Sequence, residues 1–243
     1  MILGKDERLE DLQCKGLKII QNKNLYTFSS DSVVLANYIK TKMSDSAVEI
    51  GAGSGVVSIL VQAKNEVNHI TCFEIQEEMA KLCEKNIKLN SLEDRISLVC
   101  DDVKNFRKHV SPNAFDVVFS NPPYFKENDA GQNRVRKIAR EEIFLPCETL
   151  CEVASKMLKN GGAFYVCYSA ERVVELIENL SKNGLKTKEM FFTENGKGKV
   201  KLAVLKAVKG AKNGVKVFPN LVTNEEDGSY LETLHTKYFN KKD

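Results

Sequence analysis

Apolar runs along the chain alternate with stretches whose apolar positions recur every three or four residues, the pattern of buried strands interleaved with amphipathic helices. Val48-Glu49-Ile50 stops at Gly51, Gly53 and Gly55, and an apolar, helix-compatible stretch covers residues 56–63. This reads as strand, tight turn, helix. Residues 69–75 form a second strand that ends in Glu74, and 76–90 an amphipathic helix with Met79, Leu82, Cys83, Ile87 and Leu89 on its apolar positions. A third strand, 96–100, stops at Asp101-Asp102-Val103, and a fourth, 115–119, stops where Pro122 and Pro123 forbid continuation. A long helix follows over 138–159, with Pro146 the place where it could break, and Asn160-Gly161-Gly162 ends it before a strand at 163–168. A helix at 171–182 and strands at 188–193 and 199–207, joined by a hairpin at 194–198, complete seven strands. Strands alternating with helices make an α/β domain with a mostly parallel sheet, the last strand antiparallel.

Ahead of this core, residues 12–22 read as short strand segments before a turn at Asn22-Lys23-Asn24, an N-terminal hairpin appendage over 1–28. An apolar helix over 33–39 follows, with Ser29, Ser30, Asp31 or Ser32 placed to cap its first amides. Residues 29–243 then read as the core of a single domain.

Composition narrows the reading. Apolar residues make up 42% and charged residues 28%, and no apolar run approaches the ~20 residues of a membrane span. The first residues are acidic (Asp6, Glu7, Glu10, Asp11) and lack a signal-peptide pattern, so a cytoplasmic protein with no membrane role is expected. The seven cysteines include no Cys-x-x-Cys pair, which suits reduced core thiols and gives no metal site. A net charge of +3 says little by itself. Between Lys182 and Lys216, however, ten lysines face two acids, Glu189 and Glu194, a surplus that suits either RNA contact or protection of sheet edges.

The glycine turn is the first candidate for chemistry. Closely spaced glycines let a backbone approach a ligand and adopt positive φ. The third glycine arrives one residue earlier than in the dinucleotide fingerprint and Glu49 precedes the turn, which favours a ligand without phosphates. An acid followed by Gly-x-Gly-x-Gly resembles the first motif of class I S-adenosylmethionine methyltransferases, a Rossmann-like seven-stranded fold. Glu74, 23 residues beyond Gly51, is placed to accept two hydrogen bonds from the ribose diol. The resemblance further implies that Asp102 meets the cofactor adenine, with Asp101 solvated or capping a helix, and that Phe28, Ser29 and Asp31 of a Phe-Ser-x-Asp segment lie against the cofactor. Ile75 and Val103 join Glu49, Gly51, Gly53, Gly55, Glu74, Asp102 and Asn121 as the expected cofactor contacts.

Asn121-Pro122-Pro123-Tyr124 follows the fourth strand and would face the glycine turn across the crevice at the strands' carboxyl ends. It resembles the Asn-Pro-Pro-Tyr motif of amino-methyltransferases. An exocyclic amine is a poor nucleophile because its lone pair is delocalised. The Asn121 side-chain oxygen and the Pro122 carbonyl would accept its two hydrogens, freeing the lone pair, while Tyr124 stacks on the base. Pro123, Phe125 and the basic span Arg134, Arg136, Lys137 and Arg140 are the expected substrate contacts, the cations suiting a phosphate backbone.

Taken together, the hairpin, the Phe-Ser-x-Asp segment, the glycine motif, Asn-Pro-Pro-Tyr-Phe and Ile138-Ala139-Arg140-Glu141-Glu142 resemble the bacterial tRNA(Val) adenine N6-methyltransferases over nearly the whole chain. The resemblance implies S-adenosylmethionine as the cofactor, no metal, no obligatory protein partner, and tRNA as substrate, methylated at the adenine 3′ of the anticodon. One departure is Glu141, where that family has histidine. The same tetrapeptide suits a glutamine amide, so a protein glutamine N5-methyltransferase of release factors is the alternative. A non-catalytic SAM- and RNA-binding module is a further one.

Overall fold

The computed structural model describes residues 3–122 and 145–223. Its centre is one sheet in the order β10-β8-β9-β7-β6-β3-β4-β5, with β11 also paired to β8. The long strands are β3 (Ser46–Ile50), β4 (His69–Glu74), β5 (Ile96–Cys100), β6 (Phe115–Ser120), β7 (Leu158–Ser169), β8 (Leu185–Glu194) and β9 (Val200–Lys209). Strands β3 to β7 pair in parallel, and β9 is antiparallel to both of its neighbours. That is the seven-strand, mostly parallel arrangement the sequence predicts. Two short additions, β10 (Lys216–Val217) and β11 (Leu221–Val222), extend the edge beyond the expected seven. Two residues each are too few to show alternation.

Helices cover both faces. α1 (Ser30–Tyr38), α2 (Val56–Asn65) and α3 (Glu77–Leu89) pack on one side around Leu35, Leu60, Cys83, Ile87, Phe119 and Tyr165. α4 (Cys147–Met157) and α5 (Val173–Lys182) pack on the other around Leu150, Met157, Leu176, Val48, Val118 and Phe164. Neighbours such as Val118 and Phe119 fall in opposite layers, as the strand period of two requires. Of the seven cysteines only Cys100 is exposed, and none forms a disulfide among the described residues. Among the described residues, no helix is long and apolar enough to cross a membrane.

Several boundaries differ from expectation. The predicted helix end at Asn160-Gly161-Gly162 is strand: α4 stops at Met157 and β7 starts at Leu158, accommodating Gly161 at φ +80° beside a register irregularity with β6. Of the helix expected over 138–159, residues 138–144 lie outside the described residues. The hairpin is also shifted. Its strands are β1 (Glu7–Asp11) and β2 (Lys18–Asn22), so its connecting turn falls at 12–17, and Asn22-Lys23-Asn24 is the exit turn. β1 escapes pattern reading because its residues are charged apart from Leu9. The predicted side-chain cap of α1 is absent: Ser29 occupies the N-cap without a side-chain bond, and its carbonyl takes the Ser32 amide instead.

The hairpin docks through α3. Asn86, fully buried, accepts the Ile20 N–H at 2.7 Å and donates to the Ile20 carbonyl at 3.1 Å, while Asn90 does the same for Lys18 at 3.0 and 2.8 Å. Two side-chain amides thus satisfy the outer edge of β2 as a neighbouring strand would.

Candidate active site

The parallel strands all end on one side, bringing together Ile50, Glu74, Cys100 and Ser120. The chain reverses direction across the sheet between β3 and β6, where an open α/β fold forms its ligand crevice. The Ser120 hydroxyl donates to the Ile50 carbonyl at 2.7 Å and fixes those two strand ends against each other.

The glycine turn is held by β4. Gly51 and Ala52 both donate their amides to the Phe73 carbonyl at 2.9 Å, and Gly53 donates to Glu74 Oε2 at 2.8 Å. All three glycines have positive φ, from +55° to +84°. Their roles nevertheless differ. A Cβ on Gly51 would meet nothing within 4 Å and one on Gly53 only Met79 Cε at 3.7 Å, whereas one on Gly55 would lie 2.7 Å from Cys83 Sγ. Gly51 and Gly53 therefore leave an open floor, and Gly55 lets α2 close on α3.

Glu49 is 1% exposed and turns into α2, accepting the Ser58 amide at 3.2 Å and the Ser58 hydroxyl. Burial pushes its carboxyl up to about 8, against the opposing pull of the Ser58 bonds, and the neighbouring Glu74 adds to the rise. Glu74, 5% exposed, accepts Gly53 on one oxygen and the Gln76 amide on the other at 2.9 Å; burial raises its pKa too. Beside it Ile75 is 42% exposed, an apolar side chain at the mouth of the crevice.

At the end of β5 both acids are engaged by local partners. Asp102 caps the 3-10 turn Val103–Lys108, accepting the Lys104 amide at 2.9 Å and pairing with the Lys104 ammonium at 3.0 Å. Asp101, expected to be free or capping, is held by His109 at 2.8 Å and Asn105 at 3.0 Å. Those two bonds, the histidine first, hold its pKa down at about 2. Val103 is buried beneath the turn.

Across the crevice, Asn121 donates its Nδ2 to Ser32 Oγ at 3.1 Å, and its Oδ1 has no hydrogen-bond partner among the described residues. Ser32 sits in the first turn of α1, so this bond brings the Phe28-Ser29-x-Asp31 segment to the end of β6. Asp31 is buried, with Lys201 Nζ 4.0 Å from its carboxylate. Phe28 packs at the edge of the core, and its amide reaches Gln21 of the hairpin. Pro122 is buried next to Asn121. Pro123, Tyr124, Phe125, Arg134, Arg136, Lys137, Arg140 and Glu141 lie outside the described residues.

Three residues organise this geometry beyond the sequence reading: Ser32, which it offered only as a helix cap, Ser58, and Asn86, whose Nδ2 also donates to the Ser54 carbonyl of the glycine turn at 3.0 Å. Asn86 left a trace, since a polar residue three positions after Cys83 interrupts the apolar stripe of α3. Ser58 and the Ser32 bond to Asn121 left none.

The fold and the glycine crevice define a Rossmann-like methyltransferase domain. The chain belongs to the methyltransferase small domain family, whose profile matches residues 26–190. It is similar to the tRNA1(Val) (adenine(37)-N6)-methyltransferase of Shewanella woodyi, 29% identical over 214 residues that cover 85% of this chain and 88% of that protein. The protein of the same name from Dyadobacter fermentans is 26% identical, covering 88% of this chain and 89% of its own length. Among solved structures, a predicted O-methyltransferase from Agrobacterium tumefaciens superposes with a TM-score of 0.69 at 18% identity, covering 86% of this chain and 95% of that one. A methyltransferase from Pyrococcus furiosus gives 0.62 at 22% identity, covering 81% and 91%. At such identities the structural likeness speaks for the fold alone.

Proposed function

We propose that this chain transfers a methyl group from S-adenosylmethionine to the exocyclic N6 of an adenine in tRNA, the base 3′ of the anticodon of tRNA(Val). Its place is the cytoplasm, and residues 29–243 act as one catalytic unit with the hairpin as an appendage. The names of the curated relatives support the substrate. The observation that carries the chemistry is Asn121, tethered by its nitrogen to Ser32 while its oxygen has no partner among the described residues.

The residues present fit the cofactor. Gly51 and Gly53 leave space at the turn, Glu74 retains acceptor capacity for a diol on both oxygens, and exposed Ile75 offers an apolar face to the adenine ring. Asp102 and Val103 stand at the adjacent strand end. Glu49 supports the turn from behind through Ser58. Bound S-adenosylmethionine supplies an electrophilic methyl group on a sulfonium.

The protein's task is to orient the amine. Asn121 Oδ1 and the Pro122 carbonyl accept its two N–H groups, pyramidalising the nitrogen and aiming its lone pair into the crevice, and Tyr124 stacks on the base. Water takes the released proton, since neither acceptor is a strong base. The target base must leave any helical stack to reach this depth, which an unpaired anticodon loop allows at least cost. Incubating the protein with labelled S-adenosylmethionine, tRNA from cells lacking this modification, and bacterial release factor tests the reading. N6-methyladenosine in digested tRNA is the expected product; label in the release factor would transfer the same chemistry to a glutamine amide and overturn the tRNA assignment.

A further inference from the structure

The ten lysines between Lys182 and Lys216 separate into groups once the sheet is seen. Lys186, Lys188, Lys206 and Lys209 are engaged internally: with Ser181, with the Lys212 carbonyl, with Glu189, and with Asn113 and the carbonyls of Ser155 and Leu158. Lys216 lies over the Phe218 ring at 4.6 Å. Lys197, Lys199 and Lys201 differ. All three are exposed, no side-chain partner holds Lys197 or Lys199 among the described residues, and Lys201 has only Asp31 at 4.0 Å.

Edge protection does not account for them. Lys201 lies on β9 and Lys199 leads into it, and β9 is paired on both sides, by β7 and β8. An interior strand has no open edge to guard. The register instead fixes where these lysines stand. Ser120 pairs with Val166, and Val166 pairs with Leu205 on antiparallel β9. Lys201 is therefore four residues beyond the row of Ser120, roughly 13 Å past the end of β6 on the crevice side. Lys201 approaches Asp31 from the start of β9, where the register with β8 shifts between Thr193 and Glu194, and Lys199 and Lys197 precede it in the hairpin tip. Asp31 adjoins Ser32, the residue that holds Asn121. The one acid of the tip, Glu194, is engaged by Asn220 at 2.8 Å.

We propose that the β8–β9 hairpin tip is a phosphate-binding wall: Lys197, Lys199 and Lys201 hold the RNA backbone next to the target adenine and set the strand's approach to Asn121. This rests on the tRNA reading above. Exposed ammonium groups gathered in one hairpin tip suit the phosphates of an unstacked strand and read no base, so they govern affinity and not base choice.

The test compares Lys197→Ala/Lys199→Ala with a charge-matched control, Lys42→Ala/Lys182→Ala, whose residues precede β3 and β8 at the opposite end of the sheet. Methyl transfer to tRNA and filter binding of tRNA are measured over a range of salt. The wall variant is expected to raise the KM for tRNA about tenfold with kcat and cofactor affinity retained. Its salt slope should become shallower by roughly 1.4, about 0.7 for each ammonium withdrawn from a single-strand phosphate. Lys197→Arg/Lys199→Arg should restore binding. Equal KM and slope in wall variant and control would overturn the wall. Absence of tRNA methylation by the unmodified protein would overturn the proposed function instead, with the wall then judged on filter binding alone.

Discussion

Asn121 and Ser32, 89 positions apart in the chain, are joined by a 3.1 Å hydrogen bond from the amide nitrogen of one to the hydroxyl of the other. That bond fixes the orientation of the amide and leaves its buried Oδ1 without a partner among the described residues. An asparagine free to rotate would present nitrogen as often as oxygen, and only the oxygen can accept from an amine.

Replacing Ser32 by Ala should lower kcat about five- to tenfold, the equivalent of one neutral hydrogen bond of roughly 1 kcal/mol, with cofactor affinity retained. Asn121→Ala should lose at least about a hundredfold if, as proposed, its Oδ1 is one of the two acceptors that hold the amine. Single-turnover methyl transfer with calorimetric cofactor binding checks both. Equal turnover for Ser32→Ala and the unmodified protein would remove Ser32 from the mechanism.

The glycines should separate function from stability. Gly51→Ala places a Cβ in open space at φ +74° and should cost about 1–2 kcal/mol of backbone strain while greatly weakening cofactor binding. Gly55→Ala adds a collision with Cys83 Sγ and should cost more stability than Gly51→Ala. Cys83→Ala in that background should recover part of the loss. Urea unfolding of the four proteins in the Gly55 and Cys83 cycle measures this coupling.

Glu49 should write its burial into the pH dependence of stability. Its carboxyl titrates near 8 in the folded protein against an ordinary 4.5, so the native state binds the extra proton between those values. Its contribution is therefore fully present below about pH 4.5 and is lost as pH rises through about 8. Glu49→Gln keeps an acceptor for Ser58 and removes the charge. Its melting temperature should gain on that of the unmodified protein as pH rises from about 5 to 8.5, by the equivalent of at least ~1.4 kcal/mol, one pKa unit. A constant difference across that range would show that Glu49 is not titrating there.

Asn86 links the N-terminal hairpin to the cofactor turn through one buried amide. Asn86→Ala leaves the Ile20 amide and two carbonyls without their partner and should cost about 2–3 kcal/mol. Hydrogen exchange at Ile20 and in the glycine turn should accelerate together. Acceleration at Ile20 alone would mean that the hairpin and the turn are not coupled through this residue.

The motifs were legible because each is a local backbone requirement. Gly51, Gly53 and Gly55 all adopt the positive φ that their spacing implied, and Pro122 follows the last residues of β6 where the strand had to stop. The parallel core was legible for a similar reason: strands buried on both faces leave apolar runs that survive without tertiary knowledge. Local signals failed where two elements abut without a break, as at Met157 and Leu158, and where a strand is charged on both faces, as at Glu7–Asp11.

By itself, then, the sequence determined the order of the core strands and helices and the glycine turn between the first core strand and its helix, because φ restrictions and hydrophobic period act over a few neighbouring positions. Only the tertiary structure decided that Asn86 would serve as a strand edge for Ile20, that Ser32 would orient Asn121, that Gly55 serves packing while Gly51 leaves space, and that Lys197, Lys199 and Lys201 rise beside the crevice. Each of these depends on which distant groups share a buried volume or a sheet register. Apart from the polar break that Asn86 makes in the apolar stripe of α3, side-chain hydrogen bonds across such distances leave no periodic mark on the chain.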